Sequence, residues 1–317
     1  MIDLDFLTGF GVQTKVADRP QLEGIGDEEI DDGTLALFAG NETALSLFGG
    51  GGQVALAEGV SDLLELQTQQ TQLEVAVMQA GLQPDVLLAF DRTASMSHLV
   101  ELVGSVMGQL WDRIKKELPK GSGLRMAAYN GDMTAPVTMG GRDVLSTSTM
   151  ATCGWESTLD HMLAEWLSSI QERLSINLPV LMTLADARCL DSEVFKSAIA
   201  GLKALPKQPI VIMCYVPTGG NYDDRNMIKG IAKEFPGGVF IDLSEYNLSD
   251  PKVVEMMFGS VMKIINGCIN GAVKKAAKSG DFTAAHQDML AMLQKQMGMN
   301  PHACLTDDSG RQLISAK

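Results

Sequence analysis

Aromatic residues make up only 5% of the 317 residues, cysteine occurs five times, and 25 Lys and Arg stand against 39 Asp and Glu. The net charge of −14 offers no strong basic face for phosphate contacts. That argues against a nucleic-acid partner and against an anionic membrane surface. The cysteines, Cys153, Cys189, Cys214, Cys268 and Cys304, are odd in number, lie well apart and form no C-x-x-C pair, so neither a zinc ribbon nor a disulfide scaffold is suggested. No stretch reaches the ~18 consecutive apolar residues of a membrane helix, so no span is expected. The opening Met1-Ile2-Asp3-Leu4-Asp5 has neither the basic nor the apolar segment of a secretory signal. A cytoplasmic, thiol-reduced protein is therefore expected. Two catalytic signatures are also missing: the G-x-x-x-x-G-K-[ST] phosphate loop and the G-x-S-x-G nucleophile turn.

What is present is an ordinary globular composition, 45% apolar and 20% charged, with the acidity concentrated at one end. Residues 1–52 hold ten acids and two bases, a net of −8 and more than half of the whole deficit. The densest part, Asp27-Glu28-Glu29-Ile30-Asp31-Asp32, lacks the Gly and Glu placement of a calcium loop and reads as a solvated face. Leu35-Ala36-Leu37-Phe38-Ala39-Gly40 is then echoed by Leu45-Ser46-Leu47-Phe48-Gly49-Gly50. Two copies are too few for a solenoid, which leaves a pair of short packing segments or a docking peptide. The run Gly49–Gly52 is expected to interrupt regular structure and act as a hinge.

Helical periodicity sets in over 53–79, where Leu63, Leu66, Leu73 and Val77 form a stripe that Gly81 and Pro84 terminate. Beyond Pro84, short apolar strands alternate with amphipathic helices. Strands are expected at 86–90, 124–129, 137–139, 180–184, 210–215 and 239–242. Helices are expected near 97–117 (Leu99, Leu102, Val106 and Leu110 inward), 158–174, 192–203, 224–234 and 252–278. This order predicts an α/β fold with one doubly wound, mostly parallel six-stranded sheet flanked by helices. The expected organisation is an acidic N-terminal extension over 1–52, a helical segment over 53–83, the α/β domain over 84–278, and a C-terminal helix and tail over 279–317. In that last helix Phe282, Met289, Met292 and Leu293 share a face, and the Met stripe (with Met297 and Met299) reads as core packing rather than an adaptable binding surface. The final twenty residues read as a polar tail.

In an open α/β sheet, ligands bind beyond the carboxyl ends of the strands where the strand order reverses. The first strand runs into Asp91-Arg92-Thr93-Ala94-Ser95-Met96, a carboxylate and two hydroxyls on one turn before a helix. The fourth runs into Thr183-Leu184-Ala185-Asp186-Ala187-Arg188. Between them, Cys153-Gly154-Trp155-Glu156-Ser157-Thr158-Leu159-Asp160 brings hydroxyls to another helix start. Carboxylate and hydroxyl oxygens are hard donors that suit magnesium, calcium or manganese. The alternative is that Thr93 and Ser95 merely cap the following helix. Cys153 and His161 can be drawn as a nucleophile and base, but an isolated Cys is more often inert and His161 is expected on the exposed side of its helix start. His98, His286 and His302 lie far apart with no ligand spacing, and no evident general base accompanies the Asp91 turn, so an enzyme is not the expected reading.

These three segments together resemble the von Willebrand factor A domain. Asp91-Arg92-Thr93-Ala94-Ser95-Met96 is similar to the family's Asp-x-Ser-x-Ser opening. Gly154-Trp155-Glu156-Ser157-Thr158-Leu159 is similar to its Gly-Gly-x-Thr motif, and Leu184-Ala185-Asp186-Ala187 to its strand ending in Thr-Asp-Gly. The resemblance spans about 190 residues, with the motifs in the family's order. It implies a metal-ion-dependent adhesion site with Asp91, Thr93, Ser95, Ser157 and Asp186 as direct or water-mediated ligands, Thr158 being the alternative to Ser157. It further implies bound Mg2+, with Mn2+ or Ca2+ as alternatives, and a partner protein that offers an Asp or Glu to the metal. For an intracellular member it implies service to an AAA+ ATPase, a stress-response complex or a defence complex. The chain departs from the family at Ser157, which replaces Thr, at Ala187, which replaces Gly, and at Trp155, which enlarges the rim. The competing expectation is an assembly subunit, in which the Leu/Phe duplication and the 53–79 helix mediate oligomerisation and the metal is secondary.

Overall fold

The computed structural model describes residues 52–129, 137–145, 157–173, 177–186, 193–217 and 224–299. The acidic run, the Leu/Phe duplication, most of the second motif including Trp155, the position Ala187 and the C-terminal tail lie outside them. The side chains of Leu63, Leu66 and Val106 do so too.

Six strands form one sheet: β1 (Pro84–Asp91), β2 (Gly123–Tyr129), β3 (Val137–Gly140), β4 (Leu178–Ala185), β5 (Ile210–Tyr215) and β6 (Gly237–Asp242). Their spatial order is β3-β2-β1-β4-β5-β6. All neighbours pair in parallel except β3, which runs antiparallel to β2 at the edge. The expected α/β class and mostly parallel six-stranded sheet are therefore observed, in the strand order of a Rossmann-like fold. Every residue of β1, β4 and β5 is buried, which is why these strands read as unbroken apolar runs rather than alternations. Pro84 is tolerated because it is the first residue of β1.

Helices cover both faces. Val86, Leu88 and Phe90 of β1 point into one core with α2 (Ser97–Glu117), α6 (Pro251–Ser279) and α7 (Ala285–Met299), while Leu87 and Ala89 point into the other with α3 (Leu159–Glu172), α4 (Glu193–Lys203) and α5 (Arg225–Lys233). On the first side Phe90 and Phe258 meet at 5.7 Å between ring centroids. Fully burying one such side chain contributes about 1.5–3 kcal/mol. Of the C-terminal stripe, Met289, Leu293 and Met297 are buried in this core, and Phe282 and Met292 pack against it.

Helix α1 (Gly52–Gln79) begins at Gly52, so that residue opens a helix instead of interrupting one; glycine is tolerated at a helix start. From Gln67 onward α1 belongs to the same compact unit as the sheet, and Val77 is buried in its core with Leu73 and Ala76 against it. α6 is long and apolar enough to cross a membrane, but 56% of its most apolar window is buried within the protein, as in the core helix of a soluble domain. Its ends are well marked. Asp250 Oδ1 accepts the Lys252 N–H at 2.9 Å, Pro251 occupies the first turn, and Gly280 at φ 75° closes it.

Candidate functional site

The order of the strands decides where a site can form. Both neighbours of β1, β2 and β4, run parallel to it; the chain leaving β1 enters α2 on one face, whereas the helix after β4 is α4 on the other. In open α/β sheets such a divergence marks the crevice where ligands bind, here above the carboxyl ends of β1 and β4. Phe90 is paired with Leu184, which brings Asp91 and Asp186 to the same rim.

Asp91 is wholly buried as the last residue of β1. The Thr93 N–H donates to its Oδ1 at 2.8 Å, closing the chain into an Asx-type turn that turns Thr93 inward. Thr93 is 1% exposed, and its Oγ1 lies 3.1 Å from Ser95 Oγ. Met96, buried in the core, anchors the short 3-10 turn Ala94–Met96 from below. No side-chain cap bond forms at Thr93 or at the start of α2, so the capping alternative for the two hydroxyls is not met. Their oxygens face each other across the turn instead.

Ser157 and Thr158 are both buried immediately before α3, and Asp186 is 5% exposed immediately after β4. The Ser157 hydroxyl, like that of Thr93, acts on Asp91. His161, expected on the exposed side of its helix start, is partly exposed, while Ser157 to Asp160 before it and Met162 after it are buried.

The electrostatics of the cluster centre on Asp91. Burial raises the Asp91 pKa to about 7. The Thr93 N–H opposes that rise, the neighbouring Asp186 charge adds to it, and the hydroxyls of Thr93 and Ser157 oppose it. Among the described residues no cation acts on Asp91. Asp91 Oδ2 and Ser157 Oγ are buried without a hydrogen-bond partner; the hydroxyl is near enough to favour the carboxylate yet does not reach hydrogen-bond geometry. Two carboxylates and inward hydroxyls, with an acceptor left over, fit a small divalent cation of hard character. Among the described residues no group of three or more His, Cys, Asp or Glu side chains could hold a metal, so any ion here relies on the hydroxyls.

One participant is not evident in the sequence. Tyr129, at the end of β2, stands opposite Asp91 in the register, and its hydroxyl lies 3.0 Å from Thr183 Oγ1 and donates to Leu184 O at 3.3 Å. The side chain therefore crosses β1 to reach β4, passing a position where Ala89 has only a methyl group. It ties together the three strands beneath the crevice. The available signal was a tyrosine ending the apolar run Met126-Ala127-Ala128.

The five residues Asp91, Thr93, Ser95, Ser157 and Asp186 thus come from the turn after β1, the start of α3 and the end of β4. No family model matches the chain, and no curated protein matches it.

Proposed function

We propose that the chain is a von Willebrand factor A-type interaction protein that binds a divalent cation, Mg2+ before Mn2+ or Ca2+, above β1 and β4. A partner protein is then gripped through an Asp or Glu. The observation that carries this reading is the buried Asp91 carboxylate, with no cation acting on it among the described residues, near Asp186 and the buried hydroxyls of Thr93 and Ser157. Asp91, Thr93, Ser95, Ser157 and Asp186 would hold the ion. When bound, it supplies an open coordination position that a carboxylate from outside can fill, since magnesium keeps an incomplete protein shell. Asp91 and Asp186 supply the negative charge, the Asx turn fixes the hydroxyls, and Tyr129 holds the strand ends in place. Local charge outweighs the −14 of the whole chain, because distant charges are screened beyond about 8 Å at physiological salt.

The reading is one of binding, not catalysis, in the cytoplasm and in the service of a larger machine such as an AAA+ ATPase. The test is affinity purification of the tagged full chain from its native extract in Mg2+ or in EDTA, with Asp91→Ala alongside. A partner retained by wild type in Mg2+ and lost both in EDTA and in the folded variant is the expected result. Partners indifferent to both changes would sink the adaptor reading in favour of an assembly subunit.

A further inference from the structure

At the opposite end of the sheet lies a second concave surface with different chemistry. A cavity of about 580 Å3 opens between the last turns of α1, the end of α2 with the loop after it, and the middle of α6. Leu73, Val77, Met78, Leu118 and Pro119 form its apolar floor. Among the described residues the exposed large apolar side chains are Val75, Met78 and Val194; Met78, 52% exposed, lines this cavity. Pro84, beside it, and Asp91 stand at the two ends of β1, which an extended strand separates by about 23 Å. The two surfaces do not overlap.

Charge here runs against the rest of the chain. Lys115, Lys116 and Lys120 line the cavity and Glu74 is its one carboxylate, on a protein of net −14. Lys115 sits over the Trp111 ring at 5.5 Å, and Glu74 accepts from Gln70. Neither Lys116 nor Lys120 has an ion-pair partner among the described residues. Lys115 and Lys116 also complement the carboxyl end of α2, but Lys120 lies beyond the helix and has no such role. Its position is fixed. Gly121 has φ +83°, an added Cβ there would stand 2.9 Å from Gln83 Nε2, and the same amide donates to Lys120 O.

Amides complete the lining. Asn266 donates through Nδ2 to Glu117 O at 3.0 Å, while its Oδ1 is buried without a hydrogen-bond partner. Asn270 follows one turn later on α6, also in the lining. The Asn270 amide, in the lining, offers a donor and an acceptor to the N–H and C=O groups of a peptide. We infer that this groove binds an acidic peptide segment of a partner protein, with apolar side chains on the floor and carboxylates against Lys116 and Lys120. The chain would then hold acidic partners at both ends of its sheet, one through a metal and one without.

The test is selection of a random dodecapeptide phage library on the immobilised full chain in EDTA, where a metal-dependent site is silent. The expected result is enrichment of peptides combining Asp or Glu with Leu, Ile or Phe. Their affinity should fall at least about tenfold for K116E/K120E, and less for K116Q/K120Q, because two favourable charge pairs are removed or reversed. Circular dichroism and melting would confirm that both variants fold. No enrichment, peptides without acidic bias, or equal binding to K116E/K120E would each overturn the inference. None of these outcomes bears on the metal reading, which is tested in Mg2+ at Asp91.

Discussion

At the scale of single residues, Asp91 concentrates the account. Its carboxyl holds a proton up to about pH 7 in the folded chain, against 3.8 for an ordinary Asp. The folded state therefore binds the extra proton between those values and the unfolded state does not. Stability from this group is fully present at low pH and is lost as pH rises through about 7, by at most on the order of 4 kcal/mol. Asp91→Asn keeps an acceptor for the Thr93 N–H and removes the titration. In EDTA, denaturant melts should show the variant gaining on wild type between pH 5 and pH 8, and comparing the two cancels other groups such as His286, whose burial lowers its pKa. A pH-independent difference between them would show that Asp91 is not the raised carboxyl.

At the scale of elements, the sheet and its helices rest on a few positions whose requirement is geometric. Gly238 in β6 is one: an added Cβ would stand 1.6 Å from the Ala232 carbonyl oxygen. Gly238→Ala should cost about 2–4 kcal/mol through displacement of β6 from α5, read as a lowered denaturation midpoint. Asp250→Ala removes the cap on α6 and should cost about 1 kcal/mol. An unchanged midpoint in either variant would contradict the packing described. These elements were largely legible in the sequence. Val86–Phe90, Val180–Leu184 and Ile210–Tyr215 are continuous apolar runs because they are covered on both faces, and the helices between them keep an apolar stripe. Less legible was what depends on register. Nothing local places Tyr129 opposite Asp91 or sends its hydroxyl to β4. The hydroxyls of Thr93 and Ser95 were legible as a cap or as ligands; the turn shows no capping bond and a contact between the two oxygens.

At the scale of the whole molecule, the strand order β3-β2-β1-β4-β5-β6 turns local motifs into a site. Asp91 and Asp186 are 95 positions apart in the chain and meet only because β4 returns beside β1. The same sheet separates the crevice at one end from the lysine-rimmed groove at the other. The central claim is that the crevice holds a divalent cation, and calorimetric titration of the full chain with Mg2+, and separately Mn2+, tests it most directly. The account predicts one site per chain in wild type, none in folded Asp91→Ala, and a stabilisation of about 2.7 kcal/mol at a hundredfold excess over Kd. No binding by wild type, or equal binding by the folded variant, would contradict it.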